Sequence, residues 1–86
     1  MKSAPWSKVQ IRMARKAPLS PLLLRRGLQL QPLANGNLCV TAHDDLIVKD
    51  SFWRWPSKGI GGNAIDYFIL VEGCSFHQAM HIVTQS

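Results

Sequence analysis

The spacing of apolar and polar residues changes along the chain and predicts an α+β fold. From residue 28 to 55, apolar residues alternate with polar ones in short runs, which is the period of strands with one buried face. Residues 64–83 instead place apolar side chains three and four positions apart, as in an amphipathic helix. The pattern predicts a small antiparallel sheet of three or four strands packed against short flanking helices.

A basic segment precedes the predicted sheet. Ser7 is a suitable N-cap for a short helix that ends near Lys16, with Val9 and Met13 as an apolar pair one turn apart. The alternation of Val9, Ile11 and Met13 is equally typical of a strand, so both structures remain open.

A second short helix is predicted after this segment. Ser20 is placed as its N-cap and Pro21 as its first residue, where a missing N–H costs nothing. Gly27 then takes the left-handed conformation that ends many helices.

The glycines and caps divide the rest of the chain. Asn35-Gly36 predicts a tight turn between strands. Residues 56–62 hold three of the six glycines and are predicted to form a loop. Asn63 is the expected N-cap of the next helix, and Gly73 closes it.

The last helix is predicted from a capping box formed by Ser75 and Gln78. Its apolar face is expected to comprise Phe76, Ala79, Met80 and Val83. Since only a short corner separates it from the preceding helix, we expect both helices to pack on one face of the sheet.

Charge is distributed unevenly. The net charge is +5 over 86 residues, yet residues 1–26 carry +7 and no acid, while the remainder sums to −2. A basic end on a slightly acidic body is typical of a polyanion-binding protein. A solvated surface and an acid-poor targeting leader are the alternatives.

Composition limits the class of protein. A chain of 86 residues has room for one packed core. The longest apolar run is five residues, so no membrane span is expected. Two cysteines form neither a disulfide scaffold nor a four-thiolate site, so we expect reduced thiols in the cytoplasm.

The aromatic strand is a candidate binding element. Trp53 and Trp55 fall on one face of a strand and Arg54 on the other. The indoles serve either as core or as a stacking platform for single-stranded bases, and at least one is expected in the core. The glycine-rich loop with Lys58 is either an anion pocket before a helix N-terminus or a structural turn.

Possible metal ligands are few. His77 and His81 have a spacing that permits metal binding, but no third ligand is evident and a solvent-facing polar stripe is the favoured interpretation. Cys39 and His43 would supply half of a zinc site. No spacing suggests a catalytic triad or paired carboxylates, so no enzymatic activity is predicted.

Four segments together resemble the small N-terminal zinc-binding domain of bacterial and phage DNA primases. They are residues 24–27, 53–55, 59–68 and 72–79. The resemblance implies a zinc-ribbon-like sheet in residues 18–86 that binds the single-stranded template, preceded by a basic leader in residues 1–17.

The chain departs from this family at the metal ligands. Residues 55–58 are Trp-Pro-Ser-Lys where the family has Cys-x-x-Cys, and Cys39 and His43 lie one residue too far apart. The resemblance therefore implies a metal-free relative, similar to primase-like proteins of plasmids and other mobile elements. Trp55 and its neighbours would replace the ion as a hydrophobic plug.

The sequence thus predicts a cytoplasmic module that binds single-stranded DNA during replication, with no cofactor. A helicase or primase is the expected kind of protein partner, and an enzymatic function would require this chain to be a fragment of a larger primase-like protein. The expected nucleic-acid-binding residues are Lys8, Arg12, Arg15, Lys16, Arg25, Arg26, Trp53, Arg54 and Lys58. The alternative function is a protein-interaction adaptor that kept the fold without DNA binding.

Overall fold

Five antiparallel strands in sequential order form the sheet of the computed structural model, which describes residues 6–84. The elements in chain order are α1 (Lys8–Arg15), α2 (Leu19–Arg25), β1 (Leu30–Pro32), β2 (Leu38–Val40), β3 (Ile47–Lys49), β4 (Phe52–Trp55), a 3₁₀ turn (Pro56–Lys58), β5 (Ile60–Gly62), α3 (Ala64–Leu70) and α4 (Phe76–Thr84). The α+β prediction is confirmed.

The sheet buries one face and leaves the other open. Val40, Val48 and Trp53 point to the buried face and are at most 2% exposed. They meet a layer of helical side chains that includes Leu23, Tyr67, Phe68 and Met80. The core therefore lies between the sheet and the helices.

The fifth strand corrects the sequence prediction. Residues 60–62 were expected in a loop, but they form β5, which pairs with β4 in the register Arg54↔Gly61. A Cβ at Gly61 would lie 2.8 Å from the Trp53 carbonyl oxygen. Glycine is thus needed here for close strand approach, which the sequence pattern does not distinguish from loop flexibility.

The start of α2 was also placed wrongly. The N-cap is Pro18 rather than Ser20, so Pro21 is the third helical residue, still within the turn whose N–H groups lack helical partners. The Leu19 N–H donates to the Asp50 carbonyl oxygen at 2.9 Å and thereby satisfies one of these groups from the β3–β4 turn. The predicted left-handed Gly27 is confirmed, with φ 88°.

The predicted caps of α3 and α4 are confirmed. Asn63 and Asp66 form a capping box at α3, and Ser75 forms one with Gln78 at α4. Ala79, Met80 and Val83 are buried as expected. Phe76 is instead 41% exposed, because the first turn of α4 extends past the core.

The basic segment forms a helix and not a strand, with Ser7 as its N-cap. Its buried face differs from the prediction: Ala14 is 3% exposed, whereas Val9 and Met13 are 57% and 68% exposed. Because α1 packs against α3 and α4, residues 8–15 share the core of the rest of the chain. Residues 1–5 of the expected leader lie outside the described residues.

No helix within residues 6–84 has the length and apolar character needed to cross a membrane.

Candidate nucleic-acid interface

The open sheet face carries an exposed aromatic ring between two cations. Phe52 is 64% exposed and pairs across the strands with Lys49. Arg54 follows two positions later on the same face, and its side chain is also exposed. We define Lys49, Phe52 and Arg54 as the Phe52 platform.

Two shallow clefts flank this platform. The larger, ≈ 780 Å³, runs from Phe52 and Arg54 over Gly59 and Gly61. The second, ≈ 470 Å³, lies on the side of β3 and includes Ile47 and Lys49. Among the described residues, no Asp or Glu lines either cleft, so their charge is positive.

The sequence-predicted stacking residue Trp53 lies on the opposite face and is 2% exposed. Its Nε1–H donates to the Asn63 carbonyl oxygen at 2.8 Å, and its ring meets Tyr67 edge to face. Trp53 cannot stack on a base in this fold, and the structure corrects that assignment. The alternation that puts Arg54 opposite the indoles also puts Phe52 there, so the sequence groups Phe52 with Arg54 but does not show which face is exposed.

Trp55 lies at the corner between β4 and the following 3₁₀ turn. Its ring lies 4.9 Å from that of His43, and the Lys58 Nζ is 5.5 Å from its centroid. The Trp55 ring is half-buried against the core, and its Nε1 lacks a hydrogen-bond partner among the described residues. Lys58 therefore covers the indole rather than joining the Phe52 platform.

A second contact joins the same two loops. The Ser57 N–H donates to both carboxylate oxygens of Asp45, at 3.1 and 3.3 Å. Hydrogen bonding from the Ser57 side chain and backbone lowers the pKa of Asp45 below its ordinary value. Sequence reasoning missed this pair, because nothing in the spacing links Asp45 to Ser57.

Most of the predicted basic residues lie elsewhere. On α1 their side chains are exposed, but this helix packs on α3 and α4 and so belongs to the helical layer, away from the open sheet face. These residues are Lys8, Arg12, Arg15 and Lys16. The structure therefore places them and Arg54 on different sides of the molecule.

The two arginines of the α2 region differ in their contacts. Arg25 is exposed. Arg26 Nη2 lies 2.9 Å from the Glu72 carboxylate, and its guanidinium stacks over the Phe68 ring at 5.4 Å. Arg26 thus joins α2 to the α3–α4 corner.

Within residues 6–84, no group of three or more His, Cys, Asp or Glu side chains converges to hold a metal. Cys39 and Cys74 are free thiols. The Cys39 Sγ is 3.8 Å from the Asp44 carbonyl oxygen, while His43 faces Trp55.

Comparison with protein-family models, curated proteins and solved structures returned no match. The likeness to primase zinc-binding domains therefore stays a prediction that rests on the quoted segments.

Proposed function

We propose that this chain is a nucleic-acid-binding module that takes single-stranded DNA on its open sheet face. The observation that carries the proposal is the Phe52 platform, because an exposed aromatic ring beside two cations is the combination with which proteins bind single strands. The positive clefts on both sides supply the complementary charge for a phosphate backbone.

The chemistry of the platform favours a single strand over a duplex. Stacking of a base on an aromatic side chain contributes about 1–3 kcal/mol, and it requires a base whose face is free. In a duplex these faces are stacked on neighbouring bases. Lys49 and Arg54 are then placed to meet the phosphates on either side of the stacked base.

The glycines allow the backbone to approach closely. Gly59 and Gly61 form part of the larger cleft, and β5 is an edge strand with backbone groups that no further strand of residues 6–84 pairs. A strand of DNA lying across β4 and β5 would therefore meet no side chain at these positions.

The basic helix α1 has a different role in this proposal. Its cations lie in the helical layer and do not meet the nucleotide stacked on Phe52. They raise the local concentration of a polyanion by long-range attraction, which ordinary salt screens over about 10 Å.

The proposal includes the cellular setting. We place the module in the cytoplasm and in DNA replication, on the resemblance to primase zinc-binding domains, and we assign it no catalytic step. In that setting the His43–Trp55 and Asp45–Ser57 contacts replace the missing ion between the two loops.

A fluorescence-anisotropy titration with a labelled single-stranded oligonucleotide at two salt concentrations tests the proposal. Phe52→Ala should lower affinity by roughly 5- to 150-fold, the equivalent of about 1–3 kcal/mol per stacked base. Arg54→Gln should make the slope of log affinity against log salt concentration shallower by about one, the change expected when one phosphate contact is lost. Phe76→Ala is the matched control, since it removes another exposed phenyl ring from α4.

Equal affinity of Phe52→Ala and the wild type would contradict the platform. A second candidate function is a protein-interaction adaptor, favoured by the exposed apolar pair Val9 and Met13 on α1. The same titration separates the two, because an adaptor without a DNA role gives no salt-dependent binding in any variant.

A further inference from the structure

We propose that His77 and His81 form a binding site for one divalent metal ion of the late first row, Cu²⁺, Ni²⁺ or Zn²⁺. The two side chains lie one turn apart on α4, and both rings are exposed. Their Nε2 atoms converge to 3.1 Å.

This separation matches that of two ligands on one ion. Metal–nitrogen bonds of about 2.0–2.1 Å place two imidazole nitrogens about 2.9 Å apart at a right angle and about 3.4 Å apart at a tetrahedral angle. The observed distance lies between these values, so chelation requires little rotation of either ring. Without the ion, one Nε2–H donates to the other Nε2. When the ion binds, the donor ring gives up its Nε2 proton to solvent and takes one at Nδ1, so that both rings are neutral and each offers an Nε2 lone pair.

Trp6 supports the pair. Its ring centroid lies 5.6 Å from that of His77 and 5.2 Å from that of His81, so it packs against both imidazoles. Since Trp6 immediately precedes the N-cap of α1, the site lies where the start of the basic helix meets α4. Packing against an indole limits the rotamers of the histidines and prepares them for a shared ligand.

The ligand set determines the class of metal. Two neutral imidazoles favour Cu²⁺, Ni²⁺ and Zn²⁺, and they bind the hard ions Mg²⁺ and Ca²⁺ poorly. Since no third His, Cys, Asp or Glu of residues 6–84 converges on the pair, the described part of the chain supplies two ligands to the ion. The order of affinity is expected to place Cu²⁺ above Ni²⁺ and Zn²⁺.

Calorimetric titration of the untagged full chain with CuCl₂, ZnCl₂ and MgCl₂ tests the site; a polyhistidine tag would bind the same ions. We expect one Cu²⁺ per chain, weaker Zn²⁺ binding and no Mg²⁺ binding. His77→Gln and His81→Gln should each lower the Cu²⁺ affinity by roughly tenfold or more, because each removes one of two protein ligands. His43→Gln, the third histidine of the chain, is the matched control and should bind as the wild type does.

Trp6 provides a second readout. Bound Cu²⁺ should quench its fluorescence, and Trp6→Phe should lose most of the quenching while the calorimetric affinity is retained. Unchanged Cu²⁺ affinity in both α4 variants, with circular dichroism showing intact folds, would overturn the proposal. Loss of binding in His43→Gln or Cys74→Ser would also overturn it, since the ion would then sit elsewhere.

Discussion

Replacing each strand tryptophan by phenylalanine distinguishes a hydrogen-bonded core indole from a merely packed one. Trp53 donates its Nε1–H to the Asn63 carbonyl oxygen, which also accepts from the Tyr67 N–H at 3.0 Å. Trp55 packs on His43, and its Nε1 has no partner among the described residues. Both substitutions keep an aromatic ring, so they differ in the hydrogen bond that is lost and in the packing of the site, which is tighter around Trp53 than around Trp55.

The expected costs follow from these contacts. Trp53→Phe removes one hydrogen bond, worth about 1 kcal/mol, while the Asn63 carbonyl keeps its bond from Tyr67. The smaller ring leaves a void in a fully packed site and adds about 1–2 kcal/mol. The free energy of unfolding should therefore fall by about 2–3 kcal/mol for Trp53→Phe. For Trp55→Phe it should change by less than about 1 kcal/mol, since no bond is broken.

Urea denaturation followed by circular dichroism measures both values without relying on tryptophan emission. For a domain of this size, the Trp53 variant should also melt at least about 8 °C lower. If Trp55→Phe proves as destabilising as Trp53→Phe, the hydrogen bond to Asn63 does not distinguish the two indoles and the assignment of the core is wrong.

Two further outcomes test the core. Burial, and the nearby Glu72 charge, raise the pKa of Tyr67 above its ordinary value of 10.0, against a smaller lowering by Arg26. The unfolded chain thus loses this proton first, so stability should fall as pH rises above about 10. Tyr67→Phe should abolish this loss of stability in unfolding curves measured at alkaline pH. At neutral pH it should change the free energy of unfolding little, because the Tyr67 hydroxyl has no hydrogen-bond partner in residues 6–84. Gly61→Ala should lower the free energy of unfolding by about 1–3 kcal/mol in urea, because its methyl group would push β5 away from β4; an unchanged value would show that the edge strand is free to move.

The division of the basic residues matters for the proposed function. The sequence shows seven basic side chains in residues 1–26, which favours one continuous binding surface there. In the structure, α1 lies in the helical layer, Arg26 is paired with Glu72, and Arg54 projects from the open sheet face. In the proposed function, long-range attraction of a polyanion and base stacking therefore belong to different sides of one small domain.

Local signals predicted most of the elements. Ser7, Asn63 and Ser75 cap their helices as expected, because each side chain satisfies backbone N–H groups only a few residues away. Gly27 and Gly36 take left-handed backbone conformations at the predicted helix end and turn, with φ 88° and 90°. Such interactions depend on neighbours in the sequence, so the amino-acid order alone determines them.

Tertiary structure decided which side of each helix and strand is buried and which is exposed. Ala14, and not the Val9–Met13 pair, faces the core, since the position of α1 on α3 and α4 selects the buried stripe. β5 fits closely beside β4 because Gly61 has no Cβ to meet the Trp53 carbonyl oxygen, and no local sequence pattern shows that these two residues are neighbours. Phe52 became the exposed ring for the same reason: alternation assigns it to one of two faces, and only the packing of the helices determines which face meets water.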